Sequence, residues 1–255
     1  MPLNQPTGST VVVTLPVFRD TAFLPRAVEV LEQATQQVAQ QFQILIAEDG
    51  SNSSEIVNEL RRRFQNIVYL QHDERLGRGR ALREAWAEVH ADVYVYLDVD
   101  MAADLEKFDA YRNLISLQGD FQLVTGSRYL KRSITNRPWL RRTTSLLYNL
   151  AVRALFQTGV RDHQCGFKSF SKELVERLDR EAESDSWFWD TEAIVIARKD
   201  GFKIREIPIH WTERKGERTP IRRLAKDVWL HGKGLLKLLW RVYVKRELST
   251  RRQDV

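Results

Sequence analysis

Two aspartates one residue apart, Asp98-Val99-Asp100, stand directly after the apolar run VYVYL at 93–97. Glu48-Asp49 follow a second apolar run at 44–47. Asp20 follows a third at 11–15, with Pro16, Val17, Phe18 and Arg19 between. Ligands of parallel α/β sheets bind outside the carboxyl ends of the strands. Carboxylates gathered there repel one another and resist desolvation. A hard divalent cation, Mg²⁺ or Mn²⁺, resolves that conflict, and Mg²⁺ commonly takes one or two carboxylates plus substrate phosphates. Asp98 and Asp100 are therefore the candidate metal ligands. In an arbitrary acidic loop an Asp-x-Asp says little; its place behind a strand gives it weight. The bland alternative is a solvated loop in which Asp104 caps a helix.

The elements that must position these groups follow from hydrophobic periodicity. Short apolar runs predict strands at 11–15, 44–47, 67–70, 93–97 and 121–125, with a later one at 203–211. Between them, apolar residues at helical spacing predict helices over 24–38, 56–64, 81–89 and 105–115. Further helices are expected at 139–157 (on Leu146, Leu147, Leu150 and Ala154), 172–180, 191–200 and 220–247. Alternating strands and helices mean βαβ units around a mostly parallel sheet. The strands are near-continuously apolar, as strands covered on both faces are. Gly77-Arg78-Gly79-Arg80-Ala81 has Leu82 where a dinucleotide fingerprint needs a third glycine, and it does not follow the first strand. It reads as a turn opening a helix, with arginines within reach of a substrate.

The chain has 255 residues and a formal net charge of +6, distributed in blocks. Residues 1–120 carry 11 basic and 18 acidic side chains, whereas 121–161 carry 8 basic and none acidic. Residues 162–197 are acidic again, with 9 against 4, and 198–255 carry 17 basic against 7. Basic blocks point to phosphate, nucleic acid or an anionic membrane; no nucleic-acid motif accompanies them, so nucleic acid is not an expected partner. A single cysteine, Cys165, excludes an internal disulfide. No apolar run reaches membrane-spanning length. The opening MPLNQPTGST lacks the basic and apolar regions of a secretory leader, so the expectation is cytoplasmic.

Seven ordered segments together resemble family 2 glycosyltransferases, and within them the dolichol-phosphate mannosyltransferases and related polyprenyl-phosphate enzymes. They are PVFRD, AEDGSNSS, ERLGRGRALREAW, LDVDM, GSRYLKR, DHQCGFKSF and EIPIHWTERKGERT, spread from about residue 10 to about 240. The resemblance implies a GT-A nucleotide-binding fold, with a catalytic domain over 10–219 and a basic amphipathic helical region over 220–247. It also implies a nucleoside diphosphate sugar donor, GDP-mannose or a UDP-sugar. Pro16, Phe18, Asp20, Glu48 and Asp49 would line the nucleoside pocket. Asp98 and Asp100 would hold the metal on the diphosphate, with Val99 beside the donor. The chain departs from the pattern at Phe18, Asp20 and Glu48, which replace Tyr, Glu and Asp. Ala102 stands where the mannosyltransferases carry a metal-supporting Gln, so the metal is expected to rely on nucleotide phosphates and water. The basic loop reads Gly216-Glu217-Arg218-Thr219, and its cationic role passes to Arg214 and Arg218.

The acceptor implied is a polyprenyl phosphate. A sugar hydroxyl needs a general base; a phosphomonoester is already largely ionised at neutral pH and needs cations instead. Arg128, Arg141 and Arg142 are the expected phosphate contacts, because guanidinium planes bind phosphate bidentately. Asp190, in WFWDTE, is a candidate base for a hydroxyl acceptor or a group orienting the metal site; Glu192 is the runner-up. Asp162 is expected to orient the Gly166-Phe167-Lys168 loop. His163, His210 and His231 are expected to be structural. Residues 228–246, VWLHGKGLLKLLWRVYVKR, fit a basic helix lying at a membrane surface rather than crossing it. The expected protein is thus peripheral, at the cytoplasmic face. The competing readings are a family 2 enzyme acting on a hydroxyl with Asp190 as base, and a non-catalytic membrane or nucleic-acid binding module.

Overall fold

The computed structural model describes residues 9–39, 41–212, 221–245 and 248, and of 221–227 only the backbone. Seven strands form one twisted sheet in the order β3-β2-β1-β4-β7-β5-β8. They are β1 Thr10–Val17, β2 Gln41–Asp49, β3 Ile67–His72, β4 Val93–Leu97, β5 Leu123–Ser127, β7 Phe167–Ser171 and β8 Ile204–Pro208. Pairing is parallel except at β7, which runs antiparallel to both β4 and β5. Two short strands, β6 Ile134–Asn136 and β9 His210–Thr212, pair beside this sheet.

Alternation of side chains along the strands builds two apolar layers. On β1, Val11, Val13 and Leu15 face one layer with helices α1 Leu24–Gln36, α2 Ser54–Arg63 and α4 Ala110–Ser116. Val12 faces the other, with α3 Arg78–Ala87, α5 Trp139–Phe156, α6 Lys172–Glu181 and α7 Trp189–Lys199. There Trp86, Tyr94, Tyr96, Phe170 and Trp189 interlock with ring centroids 5.3–6.3 Å apart. Such pairs are worth about 0.5–1.5 kcal/mol each beyond area burial. Helix α8 Ile221–Leu239 runs into a π-helical turn, Trp240–Lys245, and sends Leu238 and Val242 into this second layer.

The alternating α/β reading holds, with corrections. The fifth strand starts at Leu123 rather than 121, and the 203–211 run breaks at Pro208 into β8 and β9. The helix expected from 105 begins only at Ala110, because Phe108 and Asp109 take left-handed backbone conformations ahead of it. β7 has no counterpart among the expected strands. Phe167 and Lys168, expected in a loop, belong to it, and the lysine is fully buried and paired. Helix α5 matches its expected span, but its buried face is Asn149, Val152 and Phe156. The leucines that suggested a core face point outward instead: Leu147 is 63% and Leu150 59% exposed. Residues 220, 246 and 247 of the expected C-terminal helix lie outside the described residues.

Candidate active site

The order β2-β1-β4 places three parallel strand ends side by side. Pro16 pairs with Ala47 and Val17 with Glu48. Pro16, Phe18, Asp20, Glu48, Asp49, Asp98, Val99 and Asp100 therefore come to one edge of the sheet from segments far apart in sequence. This crevice is the one where doubly wound sheets bind ligands.

Each acidic group there is anchored. The Asp49 carboxylate accepts the backbone N–H of Leu76 at 2.5 Å and of Gly77 at 3.1 Å. It thereby fixes the loop that opens α3. Gly77 sits at φ 98°, a conformation that suits glycine. Glu48 is buried; one oxygen accepts the Ser51 hydroxyl, and Oε2 has no hydrogen-bond partner among the described residues. Phe18 lies under two guanidiniums, Arg75 at 4.0 Å and Arg19 at 5.0 Å from the ring centroid. Asp100 accepts the N–H of Ala102 at 3.1 Å, closing the turn after β4.

The centre of the site is a buried charge network. Arg78 spans Asp98, at 2.9 Å, and Asp190, with Trp187 stacked on its guanidinium at 3.7 Å. Asp190 also accepts from Lys168 Nζ, at 2.8 Å, and from the Tyr96 hydroxyl. Burial works to raise the Asp190 pKa. Arg78 and Lys168 outweigh it, and the carboxyl is held below the usual carboxylate range. For Asp98 the balance runs the other way. Burial, reinforced by the charges of Asp100 and Asp190 and opposed by Arg78, pushes it up to about 6. A group so placed gains from a nearby cation. The two hard carboxylates at Asp98 and Asp100 thus fit a divalent ion. Among the described residues no cluster of three or more His, Cys, Asp or Glu is placed to hold one by itself. A metal here would complete its shell with phosphate or water oxygens.

Five expected site residues need a correction or a limit. Asp190 is fully buried with both carboxylate oxygens engaged, so its geometry is that of a positioning group rather than of a base open to an incoming hydroxyl. Glu192 is likewise committed, to Arg241 at 2.7 Å. Arg128 gives one edge of its guanidinium to a protein partner. Its Nε, Nη2 and backbone N–H all donate to Asp162, at 2.7, 2.8 and 2.9 Å. That pair anchors the 162–166 loop; of the residues Asp162 was expected to orient, Phe167 and Lys168 stand in β7 and not in a loop. Arg141 is half-buried and Arg142 exposed in the first turn of α5. Arg214 and Arg218 lie outside the described residues. Arg78 was expected only as an arginine within reach of a substrate and Lys168 only as part of a loop, and Tyr96 was not singled out; the available signal was a basic or hydroxyl side chain inside an otherwise apolar or glycine-bounded segment.

Two residues of the supporting loop give direct tests. Gly166 passes so close to Asp98 that a Cβ there would overlap the carboxylate. Gly166→Ala is expected to displace Asp98 and lower turnover by at least about tenfold while the fold persists; steady-state kinetics with circular dichroism check this. His163 is buried between Thr158, at 2.9 Å, and Asn149, at 2.8 Å. Burial pushes its imidazole down to about 3, with Lys168 and Arg153 adding to the effect and Asp162 opposing it. Below about pH 6.5 the unfolded chain takes up a proton that the folded chain refuses. The His163 contribution to stability is therefore complete above that pH and is lost as pH falls toward 3. Urea midpoints measured between pH 7 and 4 should fall, and fall less steeply in His163→Gln.

Residues 12–179 match the sequence model of the family described as Glycosyl transferase family 2. The chain is 34% identical to Glycosyltransferase AglD of Haloferax volcanii over 96% of its own length and 39% of that protein's. It is 30% identical to the dolichyl-phosphate beta-glucosyltransferase ALG5A of Trichomonas vaginalis, covering 72% of this chain and 58% of that one. The chain thus spans about two fifths to three fifths of these relatives. In structure it resembles glucosyl-3-phosphoglycerate synthase of Mycobacterium tuberculosis, solved with Mn²⁺, UDP and glucosyl-3-phosphoglycerate. The TM-score is 0.64 at 18% identity, over 91% of this chain and 80% of that one. At that identity the likeness establishes the fold, which is GT-A. With motif order, fold and match to the family sequence model in agreement, the chain belongs to glycosyl transferase family 2.

Proposed function

We propose that this enzyme transfers a hexosyl group, mannose or glucose, from a nucleoside diphosphate sugar to a polyprenyl phosphate at a membrane surface. The observation that carries the choice of acceptor is the state of Asp190. In the region where a base carboxylate was expected, both carboxylates are buried and committed, Asp190 to Arg78, Lys168 and Tyr96 and Glu192 to Arg241. A hydroxyl acceptor needs a base open to it. A phosphate acceptor arrives with its nucleophilic oxygen already ionised.

The donor would lie along the β2-β1-β4 edge. Pro16, Phe18, Asp20, Glu48 and Asp49 would receive the nucleoside; the unpartnered Glu48 oxygen offers an acceptor for a base N–H. Asp98 and Asp100 would hold Mg²⁺ or Mn²⁺ against the diphosphate, with Val99 beside it. When bound, the metal neutralises charge that develops on the departing diphosphate. Arg78 keeps Asp98 oriented, and Asp190 keeps Arg78 oriented. Arg141 and Arg142 remain the candidate acceptor contacts. They lie in a first helical turn without an acidic residue, where the helix dipole also favours an anion.

Two helices suit the membrane. Trp139, Leu147 and Leu150 of α5 and Trp229, Leu236 and Trp240 of the C-terminal helical segment all stand outward. The two are joined by the Tyr243 hydroxyl, which donates to the Leu155 carbonyl at 2.5 Å, and by the Tyr148–His231 ring contact at 5.2 Å. The sequences of both are basic, with Trp and Leu interspersed, which suits an anionic surface. Among the described residues no helix is long and apolar enough to cross a membrane. We place the enzyme as peripheral at the cytoplasmic face.

The test is a panel of radiolabelled UDP- and GDP-sugars with Mg²⁺ or Mn²⁺ and a polyprenyl phosphate in anionic vesicles. Label is expected in the organic extract with one donor and to disappear with chelator. Label that stays in water with every donor overturns the reading.

A further inference from the structure

The C-terminal helix also touches the two loops that build the site. Gln164, two residues before the Gly166 that abuts Asp98, lies 3.1 Å from the His231 ring on α8. At Gly234 a Cβ would stand 2.6 Å from Phe188, so the helix backbone lies directly on the segment that leads into α7. Farther along, in the π-helical turn, Arg241 is 4% exposed. Its Nη1 reaches Glu192 at 2.7 Å, Nη2 the Glu181 carbonyl at 2.7 Å, and Nε Glu183 at 3.1 Å.

These contacts continue to the metal-binding carboxylate without a gap. Glu192 accepts the backbone N–H of Glu183 at 3.1 Å and of Ser184 at 2.7 Å. The next residue, Asp185, offers its carbonyl to the N–H of Gly79 at 2.9 Å and of Arg80 at 3.3 Å, in the first turn of α3. Arg78 stands beside them, bonded to Asp98 and covered by Trp187 of the same loop.

We propose that Arg241 is a positioning residue for sugar transfer: through Glu192 it fixes the 183–187 loop on the first turn of α3, and so holds Arg78 and Asp98 in the arrangement that receives the donor diphosphate. The inference rests on the donor reading above. A buried ion pair is poor evidence of stability, since an apolar pair of similar volume often does as well. What this pair provides is geometry: a planar fork with donors fixed toward three acceptors on two segments. The same turn carries Trp240 outward, so the segment that faces the membrane is also part of the site's scaffold.

Amide hydrogen exchange on the intact chain, without nucleotide or vesicles, tests this independently of any activity. Arg241→Met is expected to speed exchange at residues 183–184 and 79–80 by about tenfold or more, with β1 and β2 unchanged. Arg241→Lys should restore part of the protection. With the donor found by the panel, Arg241→Met should raise the donor KM by about tenfold and change kcat less. Wild-type exchange at 79–80 in Arg241→Met overturns the proposal, as does a uniform rise through β1 and β2. If Arg241→Met does not fold, Glu192→Gln is read by the same exchange criteria. If no donor is turned over by the wild type, the donor reading fails while exchange still reports on the link between Arg241 and the α3 turn.

Discussion

Asp98→Asn is expected to cut sugar transfer by about 10²–10³-fold, the scale seen when a group that stabilises transition-state charge is removed. The amide keeps the volume and still offers Arg78 an oxygen, but it is a far weaker partner for a divalent cation. The same substitution should not destabilise the metal-free protein. Asp98 is raised from 3.8 to about 6 by burial and by the charges of Asp100 and Asp190, so at pH 7 its ionised form opposes folding. The sign follows from linkage: the folded state holds the proton to a higher pH than the unfolded state. The Asp98 contribution therefore declines as pH rises from about 4 through 6. Neutralising it returns up to roughly 3 kcal/mol. Thermal unfolding in chelator should show Asp98→Asn at least as stable as wild type, while calorimetry with Mn²⁺ and UDP or GDP shows weakened binding. A clear loss of stability with unchanged nucleotide binding would mean that Asp98 serves the fold rather than the metal.

Asp190→Asn is expected to behave in the opposite way. It removes the charge shared by Arg78 and Lys168, both buried, and leaves the two cations facing a neutral amide. Breaking a buried pair from one side costs about 3–5 kcal/mol. The urea midpoint should fall accordingly, with activity falling because Arg78 no longer holds Asp98. Were Asp190 instead a proton acceptor for a hydroxyl substrate, Asp190→Asn would fold within about 1 kcal/mol of wild type and lose turnover alone. That second result would remove the main support for a phosphate acceptor. Lys168→Met supplies a control, because it strips one cation and leaves Asp190 with Arg78; its cost should be of similar size. Double-mutant cycles between Lys168 and Asp190 should show strong coupling.

The parts of the site nearest in sequence to a strand end were legible without coordinates. An apolar run stops where its strand leaves the sheet, so Glu48-Asp49 and Asp98-Val99-Asp100 announce their own position. For Arg128 the spacing gave no hint of a partner, because a guanidinium in a basic block looks free until its partner is known. That partner, Asp162, is 34 residues away and takes Nε and Nη2 of the guanidinium as a bidentate pair.

Periodicity also had a definite limit on α5. The spacing of Leu146, Leu147 and Leu150 marks an apolar helix face but does not say what covers it. In the fold, Asn149, Val152 and Phe156 take the inward position, and Asn149 is spent on His163. The leucines are left for an external apolar surface. β7 shows a related limit: its Lys168 is buried, and a buried lysine is tolerable in a central strand only when a carboxylate from another element meets it.

The amino-acid sequence by itself determined the alternating architecture, the family, the strand ends and the pair of candidate metal ligands, because these depend on local patterns of polarity and on short motifs. Tertiary structure alone decided which charges neutralise one another. Asp190 lies 92 residues beyond Asp98, and only the packing of α3, β4, β7 and α7 brings Arg78, Lys168 and Tyr96 onto it. Electrostatic roles depend on distance and burial in three dimensions, and neither is encoded in the spacing of residues along a chain.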